Sequence, residues 1–402
     1  MIGSEVIFLI LLFLVAIGIG EAYFHRLNLS RIPIRIHVNG TRGKSSVVRL
    51  IAGGLREGGI LTCAKTTGTL ARMIMPDASE YPIFRPAGAN VIEQLRIVAV
   101  AASYGVQAIV VECMALQPQL QWLSELQFLK ATHGVITNAR ADHLDIMGPG
   151  EREVALALAG STPLKAKLFT AETKYLSVLA MAATDRQTTL YHVLPEDIAA
   201  IRDDEMEHFS YVEHKENVAL ALQVCQDMGI GRQTALQGMW KAPPDPGVLT
   251  ISHVSFFGRH IHFVNAFAAN DPDSSELLWN MALKRFPDVE RRIMIFNCRI
   301  DRPHRSQQLG EAAVAWPRAD FYLLMGSGTY FLARAAIAKG MPVNKLLPVE
   351  NENDNDIFET IIELAGRSAV VVGMGNAKGQ GLSLGRFFRN RSTMDRKSRE
   401  EA

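Results

Sequence analysis

Apolar positions fall into runs of three kinds along the 402 residues. Val6 to Gly20 is one unbroken apolar stretch. Short alternating or continuous apolar segments of strand length come next, at Ile32–Val38, Ala108–Cys113, Gly134–Thr137 and Leu168–Thr170, and Leu61–Thr69 reads as a short strand opening into a threonine-rich loop. Between them apolar residues recur at helical spacing. Val47, Val48, Leu50, Ile51 and Leu55 share one face of a helix ending near Gly58-Gly59, and Asn90–Tyr104, Glu151–Ala159, Glu216–Met228 and Arg232–Met239 read as further helices. This alternation predicts an α/β fold with a mostly parallel, doubly wound sheet over residues 29–245. Lys241-Ala242-Pro243-Pro244-Asp245-Pro246-Gly247 is too rich in proline for helix or strand and reads as an ordered linker. The pattern then restarts, with strands expected at Ile261–Asn265, Ile293–Asn297, Phe321–Met325 and Ala369–Gly373, giving a second, smaller α/β domain over 246–385. Residues 386–402 carry many Arg and Lys and read as a basic, solvated tail.

The first run changes the picture. Fifteen helical residues reach only about 22 Å against a hydrocarbon core of about 30 Å, but Met1–Ser4 and Tyr23-Phe24 extend the segment to spanning length. Glu5 stands where a signal peptide carries positive charge, and no Ala-x-Ala follows. Arg26, Arg31 and Arg35 lie behind the apolar run. Residues 1–28 are therefore expected to be an anchor helix and linker in a membrane, with the body on the cytoplasmic side. A net charge of +1 gives no footprint for nucleic acid. Cys63, Cys113, Cys225 and Cys298 are far apart in apolar runs and read as reduced core thiols.

Candidate chemistry concentrates at predicted strand ends. Val38-Asn39-Gly40-Thr41-Arg42-Gly43-Lys44-Ser45-Ser46 joins a strand to a helix, the context in which a glycine loop ending in Gly-Lys-Ser cradles phosphate. Gly40 and Gly43 would let backbone N–H groups close on phosphate oxygens, Lys44 would reach the β- and γ-phosphates, and Ser45 would ligate Mg²⁺. Val38 departs from the usual first glycine. Glu112 closes the Ala108–Cys113 strand and is a candidate Mg²⁺ ligand or water-positioning group. The strand Gly134–Thr137 delivers a second polar loop containing Asn138, Asp142 and His143.

These three loops, in this order, resemble the central domain of the Mur ligases and folylpolyglutamate synthetases. Within that superfamily the chain looks closest to the ligase subunits of poly-γ-glutamate synthases, through Val38–Ser46, Lys65–Thr69, Glu112–Ala115, Asp142–Glu151, Ala242–Gly247, His262–Ser274, Asn297–Arg305 and Gly373–Asn376. The resemblance implies an ATP-binding central domain followed by a Rossmann-like C-terminal domain. It implies that ATP lies along Gly40–Ser46, with Asn138 at the adenine and Asp301 also on the nucleotide. It further implies Mg²⁺ on Ser45, Glu112 and His143, catalytic roles for Lys44, His143 and Arg302, and Arg299, Arg305 and Asn270 toward substrate. Lys241 at the linker is a weaker candidate for a closing contact to phosphate. The Mur ligases' nucleotide-sugar domain is expected to be replaced here by the roughly 30 residues with the anchor, and the family's carbamylated lysine has no counterpart at Ala155–Gly160.

The expected activity is ADP-forming amide ligation, extending poly-γ-glutamate through γ-linkages by way of an acyl phosphate. Expected partners are glutamate, the growing chain, small membrane subunits of a synthesis and export complex, and the membrane; self-association stays open. The rival is a membrane-associated P-loop ATPase that drives export without making the bond.

Overall fold

The computed structural model describes residues 2–67, 71–85, 88–209, 211, 213–244 and 249–392. Gly68, Thr69, Asp245, Pro246, Gly247 and the tail beyond Ser392 lie outside the described residues. The chain divides into two compact units: Met1–Phe209 with Glu213–Asp245, and Ser210–Val212 with Pro246–Ala402.

In the first unit the described strands are β1 (Ile34–Asn39), β2 (Thr62–Thr66), β3 (Arg72–Ile74), β4 (Glu80–Pro82), β5 (Ala108–Glu112), β6 (His133–Ile136), β7 (Lys167–Thr170) and β8 (Thr189–His192). They form one sheet in the order β4-β3-β2-β5-β1-β6-β7-β8. The pairings from β2 through β8 are parallel; β3 and β4 add an antiparallel edge. Continuous apolar runs predicted the parallel centre, because such strands are covered on both faces. The edge went unread, since Arg72–Ile74 and Glu80–Pro82 are too short to show a period.

The helix after the phosphate loop, Lys44–Glu57, buries the expected stripe of Val47, Val48, Leu50, Ile51 and Leu55. It lies against the helices Lys215–Asp227 and Arg232–Lys241. Arg49 on the same helix is almost fully buried and binds Glu80 on β4 and the Pro243 carbonyl, so the linker's first half is tied to this unit.

The N-terminal helix Ile2–Ser30 is one continuous rod about 43 Å long. Its large apolar side chains from Val6 to Phe24 are exposed, and its window Glu5–Ser30 is long and apolar enough to cross a membrane. It runs two residues beyond the expected boundary at 28, and its last turns belong to the body. His25 and Leu29 are buried, and His25 Nε2 meets the Phe128 carbonyl at 2.8 Å.

The second unit has β9 (Thr250–Phe256), β10 (Arg259–Asn265), β11 (Arg291–Cys298), β12 (Phe321–Gly326), β13 (Leu346–Pro348) and β14 (Ser368–Met374), ordered β13-β12-β11-β14-β10-β9. All pairings are parallel except the β9–β10 hairpin at one edge. One expectation is corrected here. The tail does not begin at 386: the helix Gln380–Asn390 continues through it, with Phe388 buried and stacked on Phe263 at 3.9 Å between centroids. Arginines at 386, 389 and 391 masked an amphipathic helix whose apolar side is Leu384, Phe387 and Phe388.

Beneath the first sheet, His37 on β1 and Glu125 in the helical turn Ser124–Leu129 form a fully buried pair, Nδ1 to Oε2 2.7 Å. Burial alone would push the His37 imidazole down, but Cys113 and Glu125 outweigh it and lift it to about 10. A group raised from its ordinary 6.5 stabilises the fold fully below pH 6.5, and that contribution is lost as pH rises through 10. Urea titrations at pH 6.5 and pH 10 should therefore show a larger alkaline loss for the parent than for His37→Phe/Glu125→Leu. Equal losses would mean that the pair is not ionised. Deleting Met1–Ile17 should release a soluble, folded body, whereas deletion through Leu29 should lower Tm by several degrees through loss of the buried His25 and Leu29. Equal Tm values for the two truncations would show that the last turns are not part of the core.

Candidate active site

β1 runs directly into Gly40–Gly43, and the following helix opens at Lys44. Gly40 has φ +130° and Gly43 φ +80°, conformations that side chains resist. A Cβ at Gly40 would fall 2.0 Å from Thr137 Oγ1, and one at Gly43 2.7 Å from Asn217 Oδ1. The loop is thus wedged between the ends of β6 and the helix Lys215–Asp227. The helix's own bonding starts with Val47 N donating to Gly43 O, so the N–H groups of Lys44, Ser45 and Ser46 carry no bond among the described residues. These are the donors an anion takes at a helix N-terminus.

Lys44 Nζ donates to Gly40 O at 2.6 Å and Thr41 O at 3.3 Å, which leaves one of its three N–H donors. Ser45 Oγ donates to Glu112 Oε2 at 2.8 Å, and Thr67 N donates to the same oxygen at 2.7 Å. Glu112 is buried at the carboxyl end of β5, and its Oε1 makes no hydrogen bond among the described residues. Ser45 Oγ and the Glu112 carboxylate are hard oxygen donors side by side below the phosphate loop. That set suits a small divalent cation that keeps waters and takes phosphate oxygens as its other ligands. Among the described residues no group of three or more His, Cys, Asp or Glu stands in metal-holding geometry, so no all-protein cage exists there.

Asn138, expected at the adenine, is bonded to the phosphate loop. Its Oδ1 accepts from Thr41 Oγ1 at 2.7 Å and from Arg42 N at 3.1 Å, while Nδ2 donates to Arg42 O at 3.2 Å. Arg140 N also donates to Thr41 Oγ1 at 2.9 Å. The Asn138 loop therefore braces the phosphate loop, and one amide N–H of Asn138 remains. Ser46 faces the buried Glu213, whose carboxyl is pushed up by burial.

His143 sits in the left-handed region, φ +45°, ahead of the one-turn helix Leu144–Met147. Its ring is about half exposed, with Nε2 3.9 Å from Asp142 Oδ1. Lys44, Glu112, Asp142 and His143 line one cavity of about 170 Å³, together with Thr67 and Gly40. Lys241 is elsewhere. It pairs with Glu57 Oε1 at 2.7 Å at the far end of the helix that Lys44 opens, which removes it as a phosphate contact.

In the second unit the expected residues gather at the carboxyl ends of β10, β11 and β14. Asn270 follows β10, and Asp271 caps the helix Pro272–Arg285 by accepting from Ser274 N. Arg299 grips Asp301 with two bonds, 2.9 and 2.6 Å, and holds the Asp301 carboxyl below the usual range. Arg302 is exposed at the start of the helix Pro303–Ala312. Arg305 donates to Asn376 Oδ1 at 2.9 Å, and the buried Asn376 is locked to Asn297 by reciprocal side-chain-to-backbone bonds.

Sequence reading missed Asn297 and Asn376 as supports, and also Glu172, whose Oε2 accepts from Ala139 N at 2.7 Å and whose Oε1 accepts from Tyr175 N. Glu172 lies just past β7, as Glu112 closes β5, so the strand-end rule that found one applies to the other.

Comparison with known proteins adds two domain matches. Residues 38–159 match the Mur ligase middle domain, and residues 251–391 match the poly-gamma-glutamate synthase CapB C-terminal domain. PGA synthase CapB of Bacillus subtilis (strain 168) is 36% identical over 91% of this chain and 93% of that protein. Capsule biosynthesis protein CapB of Bacillus anthracis is 35% identical over 91% of this chain and 79% of that protein. The structure of a bifunctional folylpolyglutamate synthase/dihydrofolate synthase from Yersinia pestis, complexed with AMPPNP and a Mn ion, superposes with a TM-score of 0.66. It is 13% identical, covering 91% of this chain and 92% of that one.

Two substitutions separate metal binding from loop bracing. Glu112→Gln keeps the shape but removes the charge, and should raise the Mg²⁺ concentration needed for half-maximal nucleotide turnover about tenfold or more. Asn138→Ala removes three bonds to the phosphate loop and should weaken nucleotide binding about tenfold, roughly 1.4 kcal/mol, with unchanged Mg²⁺ dependence. Identical Mg²⁺ titrations for Glu112→Gln and the parent would take Glu112 out of the metal site.

Proposed function

Because this chain belongs to the poly-γ-glutamate synthase CapB family and is an ATP-dependent amide ligase of poly-γ-glutamate synthesis, we propose that it joins glutamate through γ-linkages by way of an acyl phosphate. The supporting observation is the pairing of Ser45 with Glu112 directly below the free N–H groups of the phosphate loop. Nucleotide and a divalent cation, as bound in the folylpolyglutamate synthase structure, fit that donor set, and we take the cation to be Mg²⁺. Ser45 and Glu112 Oε1 would hold it, with His143 reaching it from the cavity rim. When bound, it neutralises charge on the β- and γ-phosphates.

The γ-carboxylate of the acceptor chain attacks the γ-phosphorus of ATP, the bond to the β,γ-bridging oxygen breaks, and ADP leaves. The amine of the incoming glutamate then attacks the acyl carbon, phosphate departs with the C–O bond electrons, and the amine loses a proton. In the first step Lys44 and the N–H groups of residues 44–46 meet charge on the transferring phosphoryl. Arg299, Arg302 and Arg305, with Asn270, are assigned to carboxylates of the substrates, since guanidinium pairs bidentately with them. Asp301 keeps Arg299 oriented. The N-terminal helix is assigned to the inner membrane, with the body cytoplasmic and small membrane subunits as partners. No observation favours the rival of an export ATPase that forms no bond.

Lys44→Ala should lower kcat by about 10² or more, because one preorganised group aimed at transition-state charge contributes about 3 kcal/mol, while nucleotide affinity falls less. Hydroxylamine added with a γ-glutamyl acceptor should trap a hydroxamate from the parent and not from the variant. Glutamate-dependent ADP release without any hydroxamate in the parent would overturn the acyl-phosphate route.

A further inference from the structure

A second cavity, of about 640 Å³, opens at the amino ends of β1, β6, β7 and β8, at the opposite end of the strands from the phosphate loop. Strands of four to six residues put roughly 13–20 Å between the two edges. Its size is that of a ligand site.

The charges around it do not cancel. Lys167 Nζ lies 2.7 and 2.8 Å from the two oxygens of Asp227, so that pair is neutral. His133 also meets Asp227, and burial holds its imidazole below the ordinary range, so it adds no charge near neutral pH. Glu125 turns its carboxylate inward, to His37 at 2.7 Å and to Ala131 N at 2.8 Å. Three cations remain that form no hydrogen bond or ion pair with a carboxylate among the described residues. Arg35 hydrogen-bonds neutral groups only, its Nε and Nη1 donating to carbonyls of Leu29, Ile32, Leu129 and Lys130, while Glu125, which attracts it at longer range, is engaged by His37. Lys130 and Lys165 are exposed at the mouth, and neither side chain has a hydrogen bond or ion pair among the described residues.

We propose that this cavity binds a stretch of polycarboxylate chain, the γ-glutamyl polymer, away from the reacting end. The reason for a chain over a small anion is the layout. One cation is held by carbonyls and two exposed ones stand at the rim of a wide, open volume. Several carboxylates can each meet one of them, whereas a single phosphate cannot meet all three. The site would hold product on the enzyme between additions. The inference rests on the polymer-forming reading above.

The test uses the full chain in detergent, without ATP, and a fluorescently labelled γ-linked decaglutamate with its terminal carboxyl blocked as the amide. Lys130→Glu/Lys165→Glu should weaken binding at least tenfold, and Lys130→Gln/Lys165→Gln by an intermediate factor. Both lysines are exposed, so the fold and glutamate-dependent ADP release with a short γ-glutamyl acceptor should stay within about twofold of the parent. Product chains made by the charge-reversed variant should be shorter. Unchanged decaglutamate affinity in that variant overturns the proposal, as does displacement of the oligomer by inorganic phosphate at equal concentration. A parent that binds the oligomer but forms no amide bond would sink the ligase chemistry and leave this site standing. A parent that ligates while the charge-reversed variant binds as it does sinks the site alone.

Discussion

The phosphate-loop edge of the first unit depends on the register of two parallel strands, in which Val38 on β1 stands opposite Glu112 on β5. That pairing brings a carboxylate under the first turn of the phosphate-loop helix, where Ser45 and Thr67 N both bond Oε2. Side chains alternate along a strand, so a slip of one residue would turn Glu112 to the opposite face of the sheet. Val38, Val111 and Ile36 are fully or almost fully buried, and burying them in this register is what excludes the slip. The hydrophobic core thereby sets the geometry of a polar site.

A second constraint is the set of buried ions around that sheet. His37 with Glu125, Arg49 with Glu80, and Lys65 with Glu93 each put a charge out of contact with water. Desolvation cancels much of the attraction in such pairs, so their net contribution to stability is small, but breaking one leaves an uncompensated charge at a cost of about 3–5 kcal/mol. Their effect is on arrangement. Glu93 holds both Lys65 at the end of β2 and Arg85 beyond β4, and Arg49 ties the central helix to the antiparallel edge. The strands beside the phosphate loop therefore have partners that only one topology satisfies.

The second unit builds its polar edge from amide and guanidinium contacts. Asn297 and Asn376 exchange bonds between the ends of β11 and β14, and Arg305 is oriented by that exchange. Arg299 is oriented by Asp301, two residues away. Pre-oriented guanidinium groups lose less freedom on meeting a carboxylate, which suits sites that recognise charge by planar, bidentate contact.

Several features were legible in the sequence because they rest on local rules. The continuous apolar runs, the glycine loop between strand and helix, the strand-end glutamate and the exposed apolar helix depend on periodicity, φ preferences and length alone. Tertiary structure decided what those rules cannot reach. Asn138 braces the loop because β6 lies beside β1, a neighbour relation with no signature in either segment. Lys241 pairs with Glu57 because two helices cross, which sets it apart from the phosphates. Residues 380–390 fold as a helix because Phe263 offers Phe388 a ring to stack on, outweighing the arginines that mark a tail. The open basic cavity, likewise, exists only because Arg35, Lys130 and Lys165, up to 130 positions apart, meet where parallel strands begin.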